Sequence, residues 1–291
     1  MVSDAPRVYT IPTGAGFLDT LAAGLIGRSS GDPLALADTT VLLPNRRAVR
    51  SLREALLRAG EGRPMVLPRL QPVGDVDEEA LALSPGDATA ALTLPPAVDA
   101  ERRLILLSRL IEHWRRRGEG QEVAPAQAVD LARHLAALLD AVATEGLDLD
   151  ALHALVPDDY ARHWQVTLDF LDIVTRAWPA ILAAEGRLDP ADRRDRLVRA
   201  LAEQWRRVPP HSPVIAAGST GTIPATAALL RVVARLPAGS VVLPGFDRDM
   251  DEATWEALDL DHNPAAALHP QAAMRQLCHR LGISRHEVAD W

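Results

Sequence analysis

Arg46, Arg47, Arg50 and Arg53 fall within eight residues, directly after the apolar run Thr40–Leu43. Arg46, Arg50 and Arg53 follow i, i+4, i+7 spacing, so a helix would carry them on one face. Guanidinium forks suit phosphodiester oxygens, and helix starts beside strand ends are where open sheets bind ligands. Arg46, Arg47 and Arg50 are therefore candidate contacts for a single-stranded nucleic acid. The same pattern also describes a solvated helix face paired with Glu54.

A second candidate is the turn Pro12-Thr13-Gly14-Ala15-Gly16, which follows the apolar run Arg7–Ile11 and precedes a helical run from Phe17 to Ile26. Backbone amides at such a turn can cradle a phosphate, which makes Thr13, Gly14 and Gly16 a degenerate P-loop candidate. A tight strand-to-helix turn needs the same glycines. The chain contains no lysine, so all 31 basic residues are arginine. A working P-loop places a lysine on the β/γ-phosphates, and Schiff-base catalysis needs a lysine amine; neither is expected here. Gly218-Ser219-Thr220-Gly221-Thr222 is a third strand-end loop, in which Ser219 and Thr220 could meet a phosphate or sugar, or simply form a turn.

Other clusters carry less chemistry. Asp247, Asp249, Asp251 and Glu252 could suggest a metal, but Asp249 and Glu252 have capping-box spacing ahead of Trp255 and Leu258. Asp75, Asp77, Glu78 and Glu79 read the same way. The nine histidines lack zinc-site spacing, and Cys278 is the only cysteine. No metal, disulfide or cluster is expected within the chain, and no catalytic residue is assigned. A reducing cytoplasm fits this cysteine usage. The N-terminus lacks the pattern of a signal peptide, and no apolar stretch of about 20 residues suggests a membrane span.

The elements that would position these residues fall into three regions. Residues 7–70 alternate short β-rich runs with helical runs, ending in an apolar run at 65–70 read as a third strand. From residue 97 to 207 only helical periodicity occurs, as in Leu104, Leu107, Ile111 and Trp114, and later in Trp164, Leu168, Leu171, Trp178 and Leu182. After Pro209-Pro210 the strand–helix alternation returns, with strands at 213–217 and 240–243. The reading is an α/β chain with a parallel sheet spanning 1–96 and 208–291, interrupted by an all-α insertion at 97–207. Hydrophobic residues make up 48% of the chain but aromatics only 4%, so the core must rest on Leu, Ala and Val. The net charge of -8 means that any nucleic-acid contact must come from a local arginine patch.

The segments at 7–25, 32–56, 67–81, 213–230 and 241–258 together resemble the N-terminal part of AddB, the second subunit of the bacterial AddAB helicase–nuclease that processes double-strand DNA breaks. They are similar to its alphaproteobacterial form, in order along nearly the whole chain. The resemblance implies a RecA-like, superfamily 1 helicase fold with a helical insertion and a degenerate ATP site. It implies an AddA-type partner subunit that uses ATP and magnesium. It also implies a nuclease domain with an iron–sulfur cluster, C-terminal to this segment. Family members that hydrolyse ATP keep a P-loop lysine, from which Gly14-Ala15-Gly16-Phe17 departs. The family region is implicated in reading a hotspot signal on the passing strand. Function is thus expected to be an inert helicase-like module that holds or scans single-stranded DNA during end resection. The alternatives are a nucleotide- or sugar-phosphate-utilising transferase and a docking module for the AddA subunit without DNA contact.

Overall fold

The computed structural model describes residues 5–29, 32, 34, 36–74, 94–117, 124–147 and 172–291. Six parallel strands form one sheet: β1 (Val8–Ile11), β2 (Thr40–Leu43), β3 (Arg69–Pro72), β4 (Val214–Ala217), β5 (Gly239–Pro244) and β6 (Ala289–Asp290). Their spatial order is β3-β2-β4-β5-β1-β6. The four strands expected from the sequence around Ile11, Leu43, Ala217 and Leu243 lie side by side in its centre.

Strand alternation splits the sheet residues between two cores. Ile11, Val41, Leu43, Ile215, Ala217 and Val242 face one layer, built by α1 (Phe17–Arg28) and α2 (Arg46–Ala59). Val8, Leu42, Val214, Ala216, Val241 and Leu243 face the other, built largely by α7 (Pro224–Val233), α8 (Glu252–Ala257) and α9 (Pro270–Leu281). Burial on both faces explains why these strands read as continuous apolar runs.

The third strand lies further along than expected. Met65–Leu67 makes no strand pairing; Pro64 and Pro68 bracket it, and Met65 and Leu67 pack on the core of α1 and α2. The pairing segment begins at Arg69, opposite Thr40. Strand β6 has no counterpart in the sequence reading.

The chain divides into two compact units, one of residues 1–92 and 197–291 and one of residues 93–196. The described part of the second unit contains α3 (Ala100–Arg117), α4 (Pro125–Glu145), a π-helical turn (Ile173–Ala177), α5 (Trp178–Glu185) and the start of α6 (Pro190–Arg207). It contains no sheet strand among the described residues, only an isolated bridge between Ala97 and Leu188. The sequence boundary at 207 falls at the end of α6, whereas the compact units part at 196–197. The reason is that Val198 and Ala202 are buried in the core of α7 to α9, with Leu201 and Trp205 packed against it. Of the expected helix from Trp164 to Leu182, the portion before residue 172 lies outside the described residues. Its described portion is one π turn leading into α5, not uninterrupted α-helix.

Arg103 organises the second unit. It is 7% exposed, and its Nη2 lies 3.0 Å from Asp189 and 2.9 Å from Asp140. Asp189 also accepts from the buried Trp178 indole at 3.1 Å and from the Ala191 amide at the start of α6. No helix among the described residues is long and apolar enough to cross a membrane.

Candidate functional site

The direction of the crossovers sets where a ligand could sit. The connections from β1 to β2 and from β2 to β3 run one way along the sheet; those from β4 to β5 and from β5 to β6 run the other way. Right-handed crossovers therefore send α1 and α2 to one face and α7 and α9 to the opposite face. Neighbouring strands whose chains leave in opposite directions open a crevice at their carboxyl ends. Such places lie between β2 and β4 and between β5 and β1.

The β5/β1 crevice is a polar cavity of about 520 Å³, lined among others by Thr13, Asp247, Arg248, Asp249, Gln271 and Asp290. Its cations are already engaged. Arg248 pairs with Asp290 at 2.7 Å, while Arg285 donates to the Met250 carbonyl and lies 3.3 Å from Glu252. Gln271 holds the β5 loop by donating to the Gly245 carbonyl at 2.8 Å and accepting from the Asp247 amide at 3.1 Å. Gly245 has φ +64°, and a Cβ there would stand 2.8 Å from the Thr13 methyl, so the two loops meet closely.

Thr13, Gly14 and Gly16 are exposed on this edge. Gly14 needs its glycine, with φ +97°. Gly16 is the N-cap of α1 without a side-chain cap, and Asp19 stands in the first turn of that helix, paired with Arg58 at 2.6 Å. A carboxylate in the first turn already complements the helix dipole and repels a phosphate approaching the same amides. The P-loop-like turn therefore opens onto an acidic neighbourhood.

The β2/β4 crevice has the opposite character. Asn45 caps α2, its side chain accepting from the Ala48 amide at 2.9 Å, and no acidic residue occupies the first turn. Arg46, Arg47, Arg50 and Arg53 are exposed along the helix. Arg47, Arg50 and Arg53 have no ion pair or hydrogen bond among the described residues, so the pairing with Glu54 that the alternative reading offered is not made by them. Elsewhere exposed arginines are commonly paired: Arg102 with Glu185, Arg196 with Asp192, Arg206 and Arg207 with Glu203. The last two hold the Glu203 carboxyl down to about 2 by hydrogen bonding.

Opposite α2, the loop after β4 is tightly built. Gly218, at φ +79°, sits against the Phe17 ring and Pro44, where an added Cβ would be 3.2 Å and 3.6 Å away. Ser219 and Thr220 are half-buried, and the Ser219 hydroxyl accepts from the Gly221 amide at 3.3 Å. Arg280 of α9 donates to the Gly221 and Thr222 carbonyls at 2.8 and 3.0 Å, fixing the loop from behind.

The acidic cluster is structural, with its cap two residues later than expected. Asp251, not Asp249, caps α8 by accepting from the Thr254 amide at 2.9 Å; those bonds lower its carboxyl pKa. Asp247 accepts from the Asp249 and Met250 amides, closing the turn that delivers Asp251 to the helix start. The similar cluster from Asp75 to Glu79 lies outside the described residues. Among the described residues no group of His, Cys, Asp and Glu is arranged to hold a metal ion.

Gln271, Arg280, Arg285 and Asp290 shape both crevices but were not singled out in the sequence. The start and stop of α9 were readable, from Pro270 at its first turn and Gly282 at its left-handed cap. Nothing local marks which carbonyls its side chains reach. Comparison with protein-family models and with curated proteins gives no match for this chain.

Proposed function

We propose that this chain is a catalytically inert, RecA-like helicase module that holds single-stranded DNA. It would act in the cytoplasm as part of a double-strand-break repair helicase–nuclease of the AddB type, beside an AddA-type partner subunit. The observation that carries the reading is the exposed face of α2 at the β2/β4 crevice, where Arg47, Arg50 and Arg53 stand without carboxylate partners among the described residues, in a chain of net charge -8. Like charges at i, i+3 and i+4 oppose helix stability, and a phosphate backbone relieves that opposition.

The β5/β1 crevice argues against a nucleotide-hydrolysing role. A triphosphate there would meet Asp247, Asp249 and Asp290, with Arg248 and Arg285 already engaged and no lysine in the chain. This also disfavours the transferase alternative, whose phosphate-bearing substrate would enter the same place.

Fluorescence anisotropy with a labelled single-stranded oligonucleotide, at low and moderate salt, tests the reading. Affinity should be modest and salt-sensitive, with a log–log slope of about 2 for about three phosphates at roughly 0.7 each. Changing Arg46, Arg47 and Arg50 together to alanine should remove most binding while circular dichroism stays unchanged. Unchanged affinity in that folded variant would refute the reading, as would DNA-stimulated ATP turnover by the unaltered chain. Tight association with an AddA-type subunit without any oligonucleotide binding would select the docking role instead.

A further inference from the structure

We infer that Arg53 is a further phosphate-contacting residue, and that the bound strand runs along the axis of α2 rather than across the carboxyl edge of the sheet; this rests on the nucleic-acid reading above. Arg46, Arg50 and Arg53 recur at seven-residue span on one helix face, about 10 Å from first to last at 1.5 Å rise per residue. The successive arginines stand about 6 and 4.5 Å apart along the axis, the scale of neighbouring phosphates in an extended single strand, which gives about one phosphate per arginine. Arg53 is exposed and has no ion pair or hydrogen bond among the described residues, although Glu54 is its neighbour in sequence.

The alternative path, from α2 across the β4 loop toward β5 and β1, is unfavourable for a polyanion. Ser219 and Thr220 are half-buried and bring no positive charge to a polyanion. Beyond them the edge carries Asp247, Asp249 and Asp290, the last paired with Arg248. The helix carries five arginines against one glutamate, whereas the sheet edge carries Asp247, Asp249 and Asp290, so the path along α2 is the less repulsive one.

The track ends beside one exposed apolar side chain. Leu57 is 58% exposed and continues the same helical line four residues after Arg53. An exposed leucine beyond a row of arginines offers apolar contact to a base, which a nucleic-acid strand has and inorganic polyphosphate lacks.

Salt-dependent anisotropy on single variants of the full chain decides the path, with oligothymidylate as the probe. Arg53→Ala should lower the salt slope by about 0.7, the same decrement as Arg50→Ala. Leu57→Ser should weaken oligothymidylate binding several-fold with the slope unchanged, and should leave competition by inorganic polyphosphate unaltered. Ser219→Ala combined with Thr220→Ala should leave slope and affinity near the parent values. An unchanged slope in folded Arg53→Ala, or loss of binding in the Ser219/Thr220 variant, overturns this path while leaving the nucleic-acid reading standing. Absence of oligonucleotide binding by the unaltered chain removes both.

Discussion

Replacing Asp189 is the sharpest test of how the second unit is held together. The carboxylate is only 10% exposed and performs three tasks at once: it pairs with buried Arg103 at 3.0 Å, accepts from the Trp178 indole at 3.1 Å, and accepts from the Ala191 amide at the start of α6. In Asp189→Ala, Trp178 keeps a buried N–H with no acceptor, about 1–3 kcal/mol. The helix start loses its cap, about 1 kcal/mol. Arg103 keeps Asp140 and the Ala136 carbonyl, which limits the loss from its exposed side. The expected total is about 3–5 kcal/mol, the range for removing one partner of a buried ion pair. Asp189→Asn keeps one side-chain oxygen, so it can accept from Trp178 or from Ala191 but not from both, and it loses the charge beside Arg103; it should cost at least about 1.5–3 kcal/mol. Urea unfolding followed by far-ultraviolet circular dichroism and tryptophan fluorescence measures both. The Arg103→Met/Asp189→Leu double variant should lose less than the sum of its single changes, by about 0.5–3 kcal/mol of coupling. A loss below about 1 kcal/mol for Asp189→Ala, or strict additivity in the double variant, would refute the assigned role.

Two further expectations concern the sheet unit. Gly245→Ala should destabilise by about 1–3 kcal/mol, because an L-residue there must adopt φ +64° and its Cβ meets the Thr13 methyl at 2.8 Å; adding Thr13→Ser, which removes that methyl, should recover the steric part in chemical denaturation. Burial pushes the Cys278 thiol up to about 12 from an ordinary value of 9.0, so iodoacetamide should label it only on unfolding at neutral pH. Because the unfolded chain releases that proton from about pH 9 and the folded chain does not until about 12, the thiol's contribution to stability is complete below pH 9 and declines across that window. Substituting Cys278→Ala should flatten that decline in denaturation midpoints measured from pH 8 to 10.5.

What the sequence by itself determined were the features whose causes are local. The central strands appear as short apolar runs because both sheet faces are buried, and the ends of α2 follow from Asn45 and Gly60, each within one turn of the residues it caps. The arginine face of α2 was legible for the same reason, since helical spacing alone places Arg46, Arg50 and Arg53 together. Tertiary structure decided everything that depends on a distant partner. Met65–Leu67 has the composition of a strand, yet the edge of β2 pairs instead with Arg69–Pro72. Two residues near position 290 become β6 only because β1 offers an open edge. Arg103 lies in a helix rich in charge and is buried because Asp140 and Asp189 converge on it across 37 and 86 residues of chain. The acidity of the β5/β1 crevice arises likewise, from Asp247, Asp249 and Asp290 brought beside Thr13 by strand order. A residue's spacing and its caps act over one or two turns, whereas strand order and charge neighbourhood are set by which surfaces bury each other when the whole chain closes.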